Sequence, residues 1–590
     1  MKSFLKYMLA TIVGVLITGL LFFLISMGII GAMVSKKQKP VDIKANSVLR
    51  MELNHAIMDR SPKSPFSNFN FMGLQPEKTM GLNDILANIE KAKKDDEIEG
   101  IYMDLSGIPA GMATIEEIRK ALVDFKESNK FVISYSDNFT QTSYYLASVS
   151  DYVYMNPEGR LNLTGLSSEI LFFKEALDKL GVEPQIIRHG KFKSAIEPFT
   201  KNKMSPENRE QVKAYMGSLW NKMATGISEA RSIEEDEINK IVNELTLKTS
   251  KAAVDNGFID ELKYKDQILE QLKDSSGLEK DDHKVRFVSL GKYAKVPKID
   301  NEMGLAKDKI AVVYAMGSVI MGEGEEGTIG SDRISRAIRK ARKDTTVKAI
   351  VFRVNSGGGS ALASEVIWRE VVLAQKEKPV IASLGDVAAS GGYYIVSPAD
   401  KIVASPNTIT GSIGVFGLFF NVQDMMNNKL GIHVDAVKTH EFSNMGTPFR
   451  PMTAKEREVI QLSIEDTYDT FVTHVAEGRD MKKSEVDEIG QGRVWSGEDA
   501  KRIGLVDEFG GLRESIEIAA KEAGLEEYRT VELPKLVDPF QKLMKDITGQ
   551  AKMSIIKETL GNEYRYYQEL KKATNMQGIQ ARIPYAIEVY

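Results

Sequence analysis

The sequence predicts an α/β protein of two tandem, similarly built domains behind a membrane-spanning segment. Three observations predict it. Segments recur in the same order about 250 positions apart, a spacing that belongs to duplicated domains and not to a short-period solenoid. Within each half, short β-rich runs alternate with helical stretches, the pattern of βα crossovers and mostly parallel strand pairing. Tyr7 to Val34 carries no charge, a run longer than the roughly 20 residues that cross a bilayer.

The duplication is legible at several places. Lys93–Ile101 parallels Arg342–Ile350, Gly181-Val182 parallels Gly431-Ile432, and Ala253–Asp260 parallels Ala500–Asp507. Two further pairs differ in their chemistry. Asp137–Tyr145 matches Gly385–Tyr394, with Gln141 in the place of Ser390. Gly190–Ala195 matches His440–Asn444, with Lys193 in the first copy and Ser443 in the second. A serine survives in one copy and a lysine in the other, so a nucleophile and its base would come from different repeats.

From the amino terminus, residues 1–6 form a short tail and residues 7–34 the expected anchor. A cleaved signal peptide has a shorter apolar region of about 7–15 residues and a small-x-small exit. Ala32-Met33-Val34 is a poor cleavage site, and the run reads as uncleaved. Lys2 and Lys6 precede it, while Lys36, Lys37, Lys39 and Lys44 follow. That count favours the following side as cytoplasmic, but long domains translocate largely regardless of flanking charge.

Residues 35–82, with Ser61-Pro62-Lys63-Ser64-Pro65-Phe66, read as a partly extended connector. Residues 83–300 are the first repeat and 301–535 the second. In the second, Lys309–Tyr314, Ala349–Val354 and Pro379–Leu384 are expected strands, Ser364–Lys376 a helix, and the run from Ala388 the start of another helix. Residues 536–590 have no counterpart in the first repeat and are expected to be a mixed, partly helical extension.

Composition narrows the chemistry. Of 590 residues, 27% are charged and the net charge is only −4, which points to no nucleic-acid partner. The chain has no cysteine, which removes thiol catalysis, disulfides and cysteine-ligated metals. Its six histidines show no metal-ligand spacing. No metal or other cofactor is expected.

Three glycine-punctuated stretches carry the candidate site. Ser390 follows a strand and precedes Gly391-Gly392-Tyr393-Tyr394. At a strand-to-helix junction, free N–H groups favour a developing oxyanion; the same residues also fit a small-residue helix packed on a sheet. Asn355-Ser356-Gly357-Gly358-Gly359-Ser360 reads as a backbone nest, either an oxyanion hole, a substrate-strand clamp or a tight turn. It lacks the GxGxxG spacing and a Walker lysine, which argues against a nucleotide. Thr410-Gly411-Ser412-Ile413-Gly414-Val415-Phe416-Gly417 alone suggests only a bend.

A nucleophilic serine needs a base. His433 and His440 match ordinary strand and loop positions of the other copy. A lysine serves if burial disfavours its ammonium form. Lys193 lies among Phe192, Ala195, Ile196 and Phe199; Lys191 is the nearby competitor.

Lys193-Ser194-Ala195-Ile196-Glu197-Pro198-Phe199, Asn355–Gly359, Ala389-Ser390-Gly391-Gly392-Tyr393, Thr410–Gly414 and Gly492–Gly497 together resemble the signal peptide peptidase A family in its double-length bacterial form, peptidase family S49. The resemblance runs from about residue 45 to 535. One departure is visible, Gly357 where that family usually has proline.

The resemblance implies tandem Clp-protease/crotonase-like domains and a Ser–Lys serine protease. Ser390 would be the nucleophile and Lys193 the general base and acid. Gly391 with Gly358 or Gly359 would form the oxyanion hole, and Ser412 would orient the lysine. It further implies a homotetramer, anchored in the lipid bilayer through residues 7–34 of a bacterial inner membrane. The catalytic bulk would be extracytoplasmic, in the periplasm, and would degrade signal-peptide remnants and similar hydrophobic peptides. Two other readings stand beside it, a crotonase-type acyl-CoA enzyme and a non-catalytic membrane scaffold on the same fold. The sequence leaves open whether Ser390 meets Lys193 of its own chain or of a neighbour.

Overall fold

The computed structural model describes residues 6–8, 10, 11, 13–21, 43–61, 79–278, 284–297, 306–536 and 579–583. Of the expected anchor, residues 22–34 lie outside this set, and the described part between 6 and 21 is helical and exposed. Among the described residues, no helix is long and apolar enough to cross a membrane. Connector residues 35–42 and 62–78, and extension residues 537–578 and 584–590, also lie outside it.

Each half is organised on a parallel sheet. In the first, the spatial order is Arg286–Ser289, Ser47–Met51, Ile98–Asp104, Phe131–Thr140, Tyr152–Asn162, Glu261–Leu262, with every neighbour parallel. The second runs Arg529–Leu533, Lys309–Met316, Val347–Ser356, Val380–Ala389, Ile409–Gly411, Val494–Ser496; only the last pair is antiparallel. Lys401–Ala404 branches from Val380–Ala389 and pairs with Glu508–Phe509.

The central strands of the second sheet are buried along nearly their whole length because helices cover both faces. In Val347–Ser356, for example, both the Phe352 and the Val351 side chains are buried, in two different core clusters. A third sheet joins the halves. Its order is Thr328–Gly330, Ser318–Ile320, Gly358–Ser360, Ile579–Arg582, Phe416–Asn421, Glu183–Arg188. A strand of the first half thereby extends a layer of the second.

Two elements differ from expectation. The strand read as Pro379–Leu384 runs on to Ala389, and the helix expected from Ala388 is the single turn Gly391–Tyr394. Around Gly385-Asp386, between the expected strand and the expected helix, the strand slips register and exchanges its partner Lys401–Ala404 for Ile409–Gly411. The Asp386 carboxylate holds this kink from the other half, accepting from the Thr114 N–H at 2.9 Å and the Thr114 hydroxyl at 2.7 Å. In the last extension, the described residues form a strand, Ile579–Arg582.

Candidate active site

Ser390 is set at the end of Val380–Ala389 with φ +56° and ψ −117°. A non-glycine residue seldom adopts positive φ, and the surrounding packing must hold it there. The Ser390 N–H donates to the Gly411 carbonyl at 2.7 Å, so the corner is tied to the next strand. This turns the side chain toward the Gly411–Gly414 loop, where the Oγ donates to the Gly414 carbonyl at 3.4 Å. The following helix has no side-chain cap, which leaves its first N–H groups for another acceptor.

Lys193 arrives from the first half. Its Nζ donates to Ser390 Oγ at 2.7 Å, Ser412 Oγ at 3.0 Å and the Ser412 carbonyl at 3.1 Å. Lys193, Ser390 and Ser412 are each 0% exposed. Burial alone drives the Lys193 ammonium well below its ordinary pKa, because a desolvated charge is costly and no carboxylate offsets it. A neutral amine within hydrogen-bond reach of a hydroxyl can take its proton. Lys191, two residues away, is exposed and rests over the Phe192 ring. The Ser390–Lys193 pair forms within one chain.

The glycines divide. The Gly358 N–H is taken by Ser356 Oγ at 3.0 Å. Gly359 and Gly391 face the same space, for a Cβ on Gly391 would stand 3.1 Å from the Gly359 nitrogen. Gly414 and Gly492 make room for the lysine. A Cβ on Gly414 would stand 3.3 Å from Lys193 Cδ, and one on Gly492 only 2.7 Å from Lys193 Cα. His433 and His440 lie in an exposed stretch away from this cluster, as does Ser443.

Sequence reasoning missed the groups that hold the lysine segment. Gln211, on the helix Pro206–Arg231, donates through Nε2 to Ser194 Oγ at 2.9 Å and the Phe192 carbonyl at 3.2 Å. Its Oε1 accepts from the Val494 N–H at 3.1 Å. Buried Glu197 accepts from the Ser205 N–H at 3.0 Å and from Asn208 Nδ2 at 3.2 Å. Helical spacing puts Asn208 and Gln211 on one face, but only the tertiary contact distinguishes them from ordinary polar positions.

A second missed group lies behind the Asn355–Gly359 loop. Arg353, 0% exposed, pairs with Asp59 at 2.8 Å and Glu117 at 2.7 Å, both from the first half. Glu117 also accepts from the Leu512 N–H at 2.8 Å.

The model of peptidase family S49 matches residues 124–279 and 373–526, once in each half. The chain belongs to this family. It is 40% identical over 442 residues to "Protease 4" of Haemophilus influenzae, covering 73% of this chain and 71% of that protein. Against "Protease 4" of Salmonella typhi it is 38% identical over 456 residues, 76% of this chain and 73% of the other. With "Serine protease SPPA, chloroplastic" of Arabidopsis thaliana it shares 32% over 546 residues, 92% of this chain and 78% of that one. As an S49 peptidase it is a serine protease, which sets aside the acyl-CoA and scaffold readings.

Proposed function

We propose that this S49 peptidase is a membrane-anchored endopeptidase in which Ser390 is the nucleophile and Lys193 the general base and acid. The observation that carries the reading is the 2.7 Å contact between a desolvated, carboxylate-free lysine amine and a strained serine hydroxyl.

The Lys193 amine takes the Ser390 proton as Oγ attacks the scissile carbonyl. The Gly391 and Gly359 N–H groups receive the oxyanion. The ammonium so formed donates to Ser412 Oγ and the Ser412 carbonyl, then delivers its proton to the leaving amine. Water completes the reaction by the same route in reverse, freeing Ser390.

Each half is a Clp-protease/crotonase-like unit, and substrates are signal-peptide remnants and similar hydrophobic peptides. Residues 7–34 anchor the chain in a bacterial inner membrane with its bulk on the periplasmic side, and four chains assemble. What supports the anchor is the uncharged run from Tyr7 to Val34.

The deciding experiment is labelling with a fluorophosphonate, followed by peptide mapping. The adduct is expected on Ser390, and its rate should rise with pH as Lys193 loses its proton. An adduct on any other serine overturns the assignment. For the anchor, the full chain should float with liposomes and a chain lacking residues 1–42 should not.

A further inference from the structure

Behind the Ser390 turn, side chains from three helices meet on one carboxylate. Tyr394 closes the turn Gly391–Tyr394, and its N–H donates to the Ser390 carbonyl at 2.8 Å. Its hydroxyl donates to Glu365 Oε2, on the helix Ala361–Gln375 that follows directly on the strand Gly358–Ser360. His474 Nε2, on the helix Ala454–Arg479, lies 3.0 Å from the same oxygen. With a carboxylate opposite, Nε2 is the donor. The His474 ring stands edge-on to Tyr394, with centroids 5.5 Å apart, and stacks on Trp368 at 3.5 Å.

The first half keeps the tyrosine and the glutamate and changes the rest. Tyr145 donates to Glu116 Oε2. The helices align from their first residues, Met112 with Ala361 and Pro206 with Ala454. In that register Arg119 takes the place of Trp368, and Gly226 that of His474. The Arg119 guanidinium lies 4.7 Å from the Tyr145 ring centroid and donates to the Gly226 carbonyl at 2.5 Å. A Cβ on Gly226 would stand 2.7 Å from Tyr145 Cε2, which leaves no room for an imidazole. The pair at the Ser390 corner is also the more costly one. Among the described residues, neither Trp368 Nε1 nor His474 Nδ1 has a hydrogen-bond partner, and burying an unpaired polar atom costs free energy.

The two N–H groups proposed to receive the oxyanion lie on the two elements that Glu365 joins. Gly359 is in the strand leading into its helix, and Gly391 opens the turn that Tyr394 closes. A Cβ on Gly391 would stand 2.8 Å from Ser364 Oγ, so the spacing of the donors follows how closely turn and helix approach.

We propose that Glu365 and His474 are positioning residues for the oxyanion hole. Glu365 ties the nucleophile turn to the oxyanion strand through Tyr394, and the His474 N–H fixes the direction of that carboxylate. The inference rests on the roles proposed above for Ser390, Gly359 and Gly391. Donors aimed at a charge that develops only in the transition state act on kcat and not on KM.

The test compares the full chain with Tyr394→Phe, Glu365→Ala, His474→Ala and His474→Gln, and with Tyr145→Phe as the matching change in the other half. The readouts are kcat and KM for a fluorogenic hydrophobic peptide, melting temperature and fluorophosphonate labelling of Ser390. A further readout is the affinity of a peptide boronate, whose tetrahedral serine adduct carries a hydroxyl into the oxyanion site.

Tyr394→Phe, Glu365→Ala and His474→Ala are expected to lower kcat about 10–100-fold. KM should stay within about twofold, and boronate affinity should fall by the same factor as kcat. His474→Gln, whose amide can set an N–H against Glu365, should recover most of the loss. Tyr145→Phe should lower the melting temperature as much as Tyr394→Phe and leave kcat within about twofold of wild type. Equal losses of kcat in Tyr145→Phe and Tyr394→Phe overturn the proposal in favour of a packing role. So does a rise in KM at unchanged kcat, or a His474→Gln chain as impaired as His474→Ala. Wild-type kcat in all the variants, with Ser390 still labelled, overturns the positioning role and leaves the nucleophile in place. Absence of labelling at Ser390 in the unaltered chain instead overturns the catalytic assignment beneath it.

Discussion

The two strand-to-helix corners of the duplicated halves, at Gln141 and at Ser390, keep the same scaffold and differ in everything that makes a hydroxyl reactive. Tyr144 donates to the Phe258 carbonyl and Tyr393 to the Leu505 carbonyl, each at 2.8 Å. Gln141 Nε2 donates to the Gly165 carbonyl at 3.0 Å, and Ser390 Oγ reaches the matching Gly414 carbonyl at 3.4 Å.

In the first half, the helix Gln141–Ala147 is capped, because Thr140 Oγ1 accepts from the Ser143 N–H at 3.2 Å and Ser143 Oγ accepts from the Thr140 N–H at 3.0 Å. In the second, the corner is strained to positive φ, the following turn is uncapped, and Lys193 stands against the hydroxyl. Strain, open N–H groups and a desolvated amine are costly features. They occur together at the corner proposed to be catalytic and are absent from the other copy.

The largest effects should come from the pair that only one corner possesses. Ser390→Ala is expected to lower kcat for peptide hydrolysis by on the order of 10⁴-fold or more, with the melting temperature little changed. Lys193→Met should cost as much activity and yet stabilise the fold at pH 7. The sign follows from burial. The folded chain disfavours the lysine proton and the unfolded chain does not, so the unfolded state binds more protons between the lowered pKa and 10.5 and wild-type stability rises with pH across that window. Methionine has no such penalty. Its advantage in melting temperature should shrink as pH rises through that window toward 10.5; an advantage independent of pH would contradict the buried free amine.

The next effect tests what holds the halves in register. Arg353→Ala leaves Asp59 and Glu117 as uncompensated buried carboxylates and is expected to destabilise by about 3–5 kcal/mol, read as a lower denaturation midpoint. A shift near zero would show that the halves do not depend on this contact. Ser412→Ala acts at the proposed base, and it also removes the Ser412 Oγ contact to the Gly492 carbonyl at 3.3 Å. It removes one of three acceptors around Lys193 Nζ, which favours the free amine still further. The acid limb of the activity profile should move to lower pH, and kcat should fall roughly 10–100-fold through looser positioning of the base.

Much of this comparison is legible in the sequence, because a duplicated chain supplies its own reference. Gln141 against Ser390 and Ser443 against Lys193 mark the divergent positions without any structure. Periodicity likewise gives the parallel strands, since Val347–Ser356 is apolar on both faces. The remainder depends on contacts between distant segments. Lys193 and Lys191 are alike in local composition, and only the fold buries the first. Gly385-Asp386 carries ordinary turn chemistry, but Thr114 of the other half satisfies Asp386 and keeps the strand running. Asp59 and Arg353 stand 294 positions apart, and no local pattern joins them.

The smallest effect is the most direct test of why one corner is silent. Gln141→Ser restores the hydroxyl in the first copy but supplies none of its surroundings. Leu163 stands where Ser412 stands in the other half, the Thr140 cap still occupies the Ser143 N–H, and the matching lysine position is the exposed Ser443. The variant should lose about 1 kcal/mol for the Gly165 contact, and peptide hydrolysis should stay within about twofold of wild type. In a Ser390→Ala background it should restore none. A fluorophosphonate adduct at position 141 in that double variant would mean that the corner alone activates a serine, and that strain and a buried lysine are dispensable. An unlabelled double variant assigns reactivity to the joint arrangement of both halves, with the hydroxyl as only its last component.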